Sequence, residues 1–96
     1  MRNIFVGQSA LRISGRTGTA LTDVMACEIR YRKPDGASGG WEGFVSDETR
    51  GVVSYDVLGN ELDMPGWWSF WVYVKFDDER VAFGDAVKVF VRAEGT

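Results

Sequence analysis

Apolar residues in this chain recur at every second position, the period of a strand with one face buried and one exposed. Between residues 25 and 33, Met25, Cys27, Ile29 and Tyr31 alternate with Ala26, Glu28, Arg30 and Arg32. Pro34-Asp35-Gly36 closes that segment, because proline fixes φ and glycine supplies the positive φ of a turn. Six more strands are expected on the same logic, at residues 3–6, 10–14, 40–45, 52–57, 67–76 and 81–91. Gly7 stops the first, and Leu11 and Ile13 share a face of the second, with a loop over 15–19. Residues 46–51 and 77–80 read as turns and 58–65 as a corner, while Gly84-Asp85 interrupts the last strand as a bulge. A helical rival exists at 22–29, capped by Thr22 with Val24, Met25 and Glu28 on one face, but the alternation continuing to Arg32 argues against it.

Residues 67–76 are the most informative. Trp68, Phe70, Val72, Val74 and Phe76 form an unbroken apolar face, which is assigned to the core. Trp67, Ser69, Trp71, Tyr73 and Lys75 form the other, an amphipathic surface. In the last strand Val87, Val89 and Val91 are expected to face inward, leaving Lys88, Phe90 and Arg92 outside. Pairing 67–76 with 81–91 as a hairpin, flanked by 25–33, brings Arg30 and Arg32 near Trp71 and Tyr73. Arginine stacks well on aromatic rings, and Trp, Tyr, Phe and Arg are enriched at interfaces. The candidate binding residues are therefore Trp67, Trp71, Tyr73, Phe90, Arg30 and Arg32.

Composition supports the strand reading: 12 Val and 13 aromatic residues stand against four Leu, and 12 Gly supply turns. Ninety-six residues suit one domain, spanning 1–96. The expected fold is all-β, an antiparallel β-sandwich of about seven strands. The first, second and fifth strands are assigned to one sheet and the third, sixth and seventh to the other, with the fourth at an edge of either.

The net charge is −3, and Arg30, Arg32 and Lys33 form the only dense basic group. Nucleic acid is not an expected partner, since phosphate affinity needs clustered cations. No apolar run approaches the ~20 residues of a membrane span, and the first residues lack the apolar stretch of a signal peptide. The chain is expected to be made in the cytoplasm and to leave it only within a larger particle. Cys27 has no cysteine partner and shares the inward parity of Ile29.

Candidate chemistry is sparse. Without histidine there is no Ser-His-Asp or Cys-His arrangement, and zinc loses its usual ligand. Asp77, Asp78 and Glu79, with Asp85 nearby, lack the alternating twelve-residue loop of a calcium site and read as a polar hairpin tip. Gly36, Gly39 and Gly40 lack the following Lys-Ser/Thr of a phosphate loop and read as turn residues. No catalytic residue, metal ligand or cofactor is nominated.

Several segments carry a resemblance: Ile29-Arg30-Tyr31-Arg32-Lys33-Pro34-Asp35-Gly36, Trp41, Val53-Ser54-Tyr55, Leu62-Asp63-Met64-Pro65-Gly66-Trp67-Trp68, and Gly84 with Val87, Val89 and Val91. Together they resemble small immunoglobulin-like β-sandwich proteins encoded in bacteriophages and prophages near tail or structural genes. More loosely, they are similar to the N-terminal module of phage baseplate upper proteins. The likeness covers residues 3–92. Leu62 to Trp68 resembles the Asp-x-Gly-x-Tyr corner before strand F, with Trp68 as the aromatic and one extra residue between Asp63 and Gly66. The paired cysteines of antibody domains are missing. The resemblance implies a non-enzymatic virion or prophage component that binds a protein partner, either itself or another virion protein. The alternative is a carbohydrate-binding module using exposed Trp and Tyr.

Overall fold

The computed structural model describes residues 3–95, so Met1, Arg2 and Thr96 of the expected 1–96 domain lie outside the described residues. Nine strands follow in order: β1 (Ile4–Phe5), β2 (Arg12–Arg16), β3 (Val24–Arg32), β4 (Ser38–Glu42), β5 (Phe44–Asp47), β6 (Val52–Asp56), β7 (Gly66–Phe76), β8 (Val81–Phe83) and β9 (Val87–Arg92). No helix occurs among the described residues, and 22–29 enters β3. A six-stranded sheet runs β1-β9-β7-β3-β4, with β8 also paired to β7, and a three-stranded sheet runs β2-β6-β5.

The core lies between the two sheets. Ile29, Trp68, Phe70, Val72, Val74 and Val91 enter it from the larger sheet, and Val53 and Val57 come from the β6 side. Leu21 and Leu62 close it from the connecting segments. The inner face of β7 is thus the one its alternation predicts. Aromatic stacking ties the layers together where Trp41 of β4 meets Tyr55 of β6 at 5.0 Å and 19°, and within β7 Trp68 stacks on Phe70 at 5.9 Å and 11°. Offset stacks of this kind add to the large apolar area that each ring buries.

The corner before β7 anchors Trp68. Its Nε1 donates to the Met64 carbonyl at 3.0 Å, so the buried indole leaves no polar atom unsatisfied. Lys33, at the end of β3, reaches Asp63 of the same corner at 2.8 Å. The hydrogen bond to that carboxylate holds the Lys33 ammonium above its ordinary range.

Four features depart from the sequence reading. The first strand leaves the sheet assigned to it: β1 pairs parallel with β9, which makes the larger sheet mixed rather than antiparallel. The cause is Gly7, whose φ of 81° turns the chain out of that sheet after two residues and sends β2 across to the other. The expected fourth strand divides at Gly43, with β4 on the edge of one sheet and β5 on the edge of the other. A register shift between Val24 and Ala26 then turns Met25 out, 58 % exposed, and gives its inward place to Val24.

The fourth departure is Val87, on the inner face but 59 % exposed. The three-stranded sheet is too narrow to cover it. Beside the edge strand β2 a cleft of about 490 Å³ remains, lined by Ile13, Gly15, Phe70, Val72, Val87 and Val89 among others. β2 itself lies two residues further along the chain than expected, running through Gly15 to Arg16. Glycine permits its close approach to the larger sheet. A Cβ on Gly15 would strike Val72, and one on Gly84 would strike the Arg16 carbonyl.

Candidate binding face

The outer face of the six-stranded sheet is built on β7, whose odd-numbered residues point away from the core. Register sets their neighbours. Trp67 lies opposite Phe90 of β9, and Ser69 lies between Lys88 of β9 and Arg32 of β3. Trp71 lies opposite Arg30, while Tyr73 lies between Phe83 of β8 and Glu28 of β3. Adjacent strands are about 4.8 Å apart, so each row forms a contiguous line of side chains.

The rings form two pairs. Trp67 and Phe90 meet edge to face at 5.1 Å and 66°. Tyr73 and Phe83 meet at 5.6 Å. The Arg30 guanidinium lies 3.8 Å above the Tyr73 ring and is steadied by Glu28, whose Oε1 accepts from Arg30 Nε at 3.3 Å. Arg92 lies 5.7 Å from the Phe90 ring. Arginine over an aromatic face combines electrostatic attraction with planar packing.

All six candidate residues fall on this one face, with different exposure. Trp67 is 60 % exposed and Phe90 42 %, whereas Trp71, Tyr73 and Arg30 are partly covered by their neighbours. Arg30 takes the place beside Tyr73 that was expected of both arginines. Arg32 sits one row away, beside Ser69.

Phe83 is the residue that sequence reasoning missed. It is 58 % exposed and pairs with Tyr73. Read as one unbroken strand, 81–91 puts Phe83 on the same side as Val87 and Val89, facing inward. The pairs Tyr73↔Phe83 and Phe70↔Val87 differ by one residue in register, so a single extra residue between β8 and β9 reverses the face. Gly84-Asp85 was the available signal. Its consequence for Phe83 follows only once the parity change is applied.

Other nominated residues stay outside this face. Cys27 is buried, and burial pushes its thiol above the ordinary range, which keeps it protonated and unreactive. In the 77–80 turn, Asp78 accepts from the Arg80 backbone and guanidinium, and these bonds hold its carboxyl below the ordinary range. Among the described residues no group of three or more His, Cys, Asp or Glu is arranged to hold a metal ion. No known protein family, characterised protein or solved structure gives a significant match to the chain.

Proposed function

We propose that this chain is an immunoglobulin-like β-sandwich module of a bacteriophage or prophage particle, acting in protein–protein binding through the outer face of its six-stranded sheet. The observation that carries the binding reading is the exposure of Trp67, Phe83 and Phe90 on one continuous face. The solvated side of a sheet is ordinarily polar, and monomers rarely leave contiguous apolar patches bare. Rings set beside arginines are also the composition of interface hot spots. Attachment, rather than catalysis, is the chemistry such a face supports.

Strand order supports the immunoglobulin-like reading. β2, β6 and β5 correspond to strands B, E and D, and β9, β7, β3 and β4 to G, F, C and C′ of a variable-type domain. The bond from Trp68 Nε1 to the Met64 carbonyl takes the part of the tyrosine-corner hydrogen bond to upstream backbone. The phage attribution rests on the resemblance of residues 29–36, 62–68 and 84–91.

The test is incorporation into particles of the encoding phage, followed by mass spectrometry of purified virions. Wild-type chain is expected in the particles. The double variant Trp67→Ser/Phe90→Ser is expected to keep its fold, seen as a cooperative melt, and to be lost from them. Wild-type chain absent from particles, or a double variant incorporated like wild type, would overturn the reading. A chain absent from particles whose tryptophan fluorescence responds to a glycan panel would replace it with carbohydrate binding.

A further inference from the structure

The outer face is basic although the chain is acidic. It carries Arg30, Arg32, Lys75, Lys88 and Arg92, five of the chain's 11 Lys and Arg, on a molecule of net charge −3. Its carboxylates are Glu28 and Glu42, and Glu28 is engaged by Arg30. Elsewhere among the described residues, Arg12, Lys33, Arg50 and Arg80 each have a carboxylate within 4.0 Å, and only Arg16 does not. On the outer face the proportion is reversed, with Arg30 alone so paired. At its centre, Lys88, Ser69 and Arg32 form one row across β9, β7 and β3. Two strand spacings separate the two cations, about 10 Å, with a hydroxyl between them. Trp67 and Phe90 bound this row on one side, and Trp71 and Arg30 on the other.

We infer that the partner of this face is an acidic segment of a different protein, with aromatic side chains beside its carboxylates. The inference deepens the binding reading above and rests on it. Its carboxylates meet Arg32, Lys88 and the Ser69 hydroxyl, where charge-assisted hydrogen bonds are strongest. Its rings pack on Trp67 and Trp71. A second copy docked face to face about a two-fold axis would oppose one cationic face with another. A polynucleotide fits less well. A continuous phosphate track leaving the central row along the strands, past Trp71 and Arg30, meets Glu28 and Glu42 in the Tyr73 row.

The four tryptophans supply the assay, since Trp67 and Trp71 lie on the face while Trp41 and Trp68 are buried. Their indole N–H resonances are followed as the protein is titrated with a capped heptapeptide alternating Glu and Tyr, its Lys–Tyr counterpart, and an oligothymidylate of equal length. The Glu–Tyr peptide is expected to move the Trp67 and Trp71 signals and leave Trp68 in place. Arg32→Glu/Lys88→Glu is expected to weaken that binding roughly tenfold, with the Trp68 signal unchanged as evidence of an intact fold. Equal binding of the Lys–Tyr peptide would overturn the acidic partner and leave the aromatic face standing as a binding surface. Tighter binding of oligothymidylate, or face-to-face dimerisation of the free chain, would replace that partner with nucleic acid or a second copy. If no probe moves Trp67 or Trp71, the acidic partner is overturned, and particle incorporation of Trp67→Ser/Phe90→Ser decides the binding reading separately.

Discussion

Trp67 and Trp68 are neighbours in sequence and opposites in environment. Trp68 is fully buried, stacked on Phe70, packed against Tyr31 and bonded through its indole N–H to the Met64 carbonyl. Trp67 is mostly exposed and touches Phe90 edge-on, and its indole N–H makes no hydrogen bond among the described residues. The contrast extends along all of β7. Its inner residues meet a second sheet and its outer residues meet none, although both sets are rich in rings. A strand's period of two places two roles side by side, so an aromatic count alone cannot separate fold from function. What separates them is whether another layer covers the ring.

The largest expected effect comes from the inner side. Trp68→Ala should destabilise the protein by about 3–5 kcal/mol, because it empties a large cavity that the corner cannot refill. Chemical denaturation would read this as a lower midpoint with little change in slope. A midpoint close to wild type would move Trp68 out of the core and break the comparison.

A smaller effect belongs to Tyr55, which joins the two layers by stacking on Trp41. Its hydroxyl donates to Glu61, with both carboxylate oxygens at 2.7 Å, and Glu61 also accepts from the Leu58 N–H. Burial, then the bond to Glu61, pushes the phenol up to about 12 from 10.0. The folded state therefore holds this proton more tightly than the unfolded chain. The stabilisation is complete below pH about 10 and is lost as pH rises through about 12. Tyr55→Phe should cost about 1 kcal/mol at neutral pH, as expected for one hydrogen bond partly open to solvent. Its deficit relative to wild type should shrink over the alkaline window. A deficit that stays constant to pH 12 would remove Glu61 from the account of this ring.

The smallest effect is expected from Trp67→Ala, about 0.5–1 kcal/mol, the worth of its edge contact with Phe90. Thermal melts of this variant beside Trp68→Ala sharpen the comparison. A cost equal to that of Trp68→Ala would mean that Trp67 also supports the fold.

Much of this division was legible from residue pattern. The inner and outer sets of β7, the inward place of Cys27, the corner at 58–65 and the gathering of the six candidate residues on one face all follow from period two and turn chemistry. Features that depend on partners distant in sequence were not legible. The pairing of β1 with β9 rests on backbone hydrogen bonds, which leave no trace in the hydrophobic pattern. One-residue register changes reversed the faces of Met25 and Phe83. The exposure of Val87 depends on how far the opposite sheet extends. The row formed by Lys88, Ser69 and Arg32 needs the register of three strands, so the basic character of the face was hidden in an acidic sequence.

The most direct test of an open outer face over a closed inner one is ¹⁹F NMR of the 5-fluorotryptophan-labelled protein, comparing resonances in H₂O and D₂O. Single Trp→Phe variants would assign the four signals. The account predicts a large solvent shift for Trp67, a smaller one for half-covered Trp71, and essentially none for Trp68. A Trp68 resonance that moves as far as that of Trp67, or a Trp67 resonance that does not move, would contradict it.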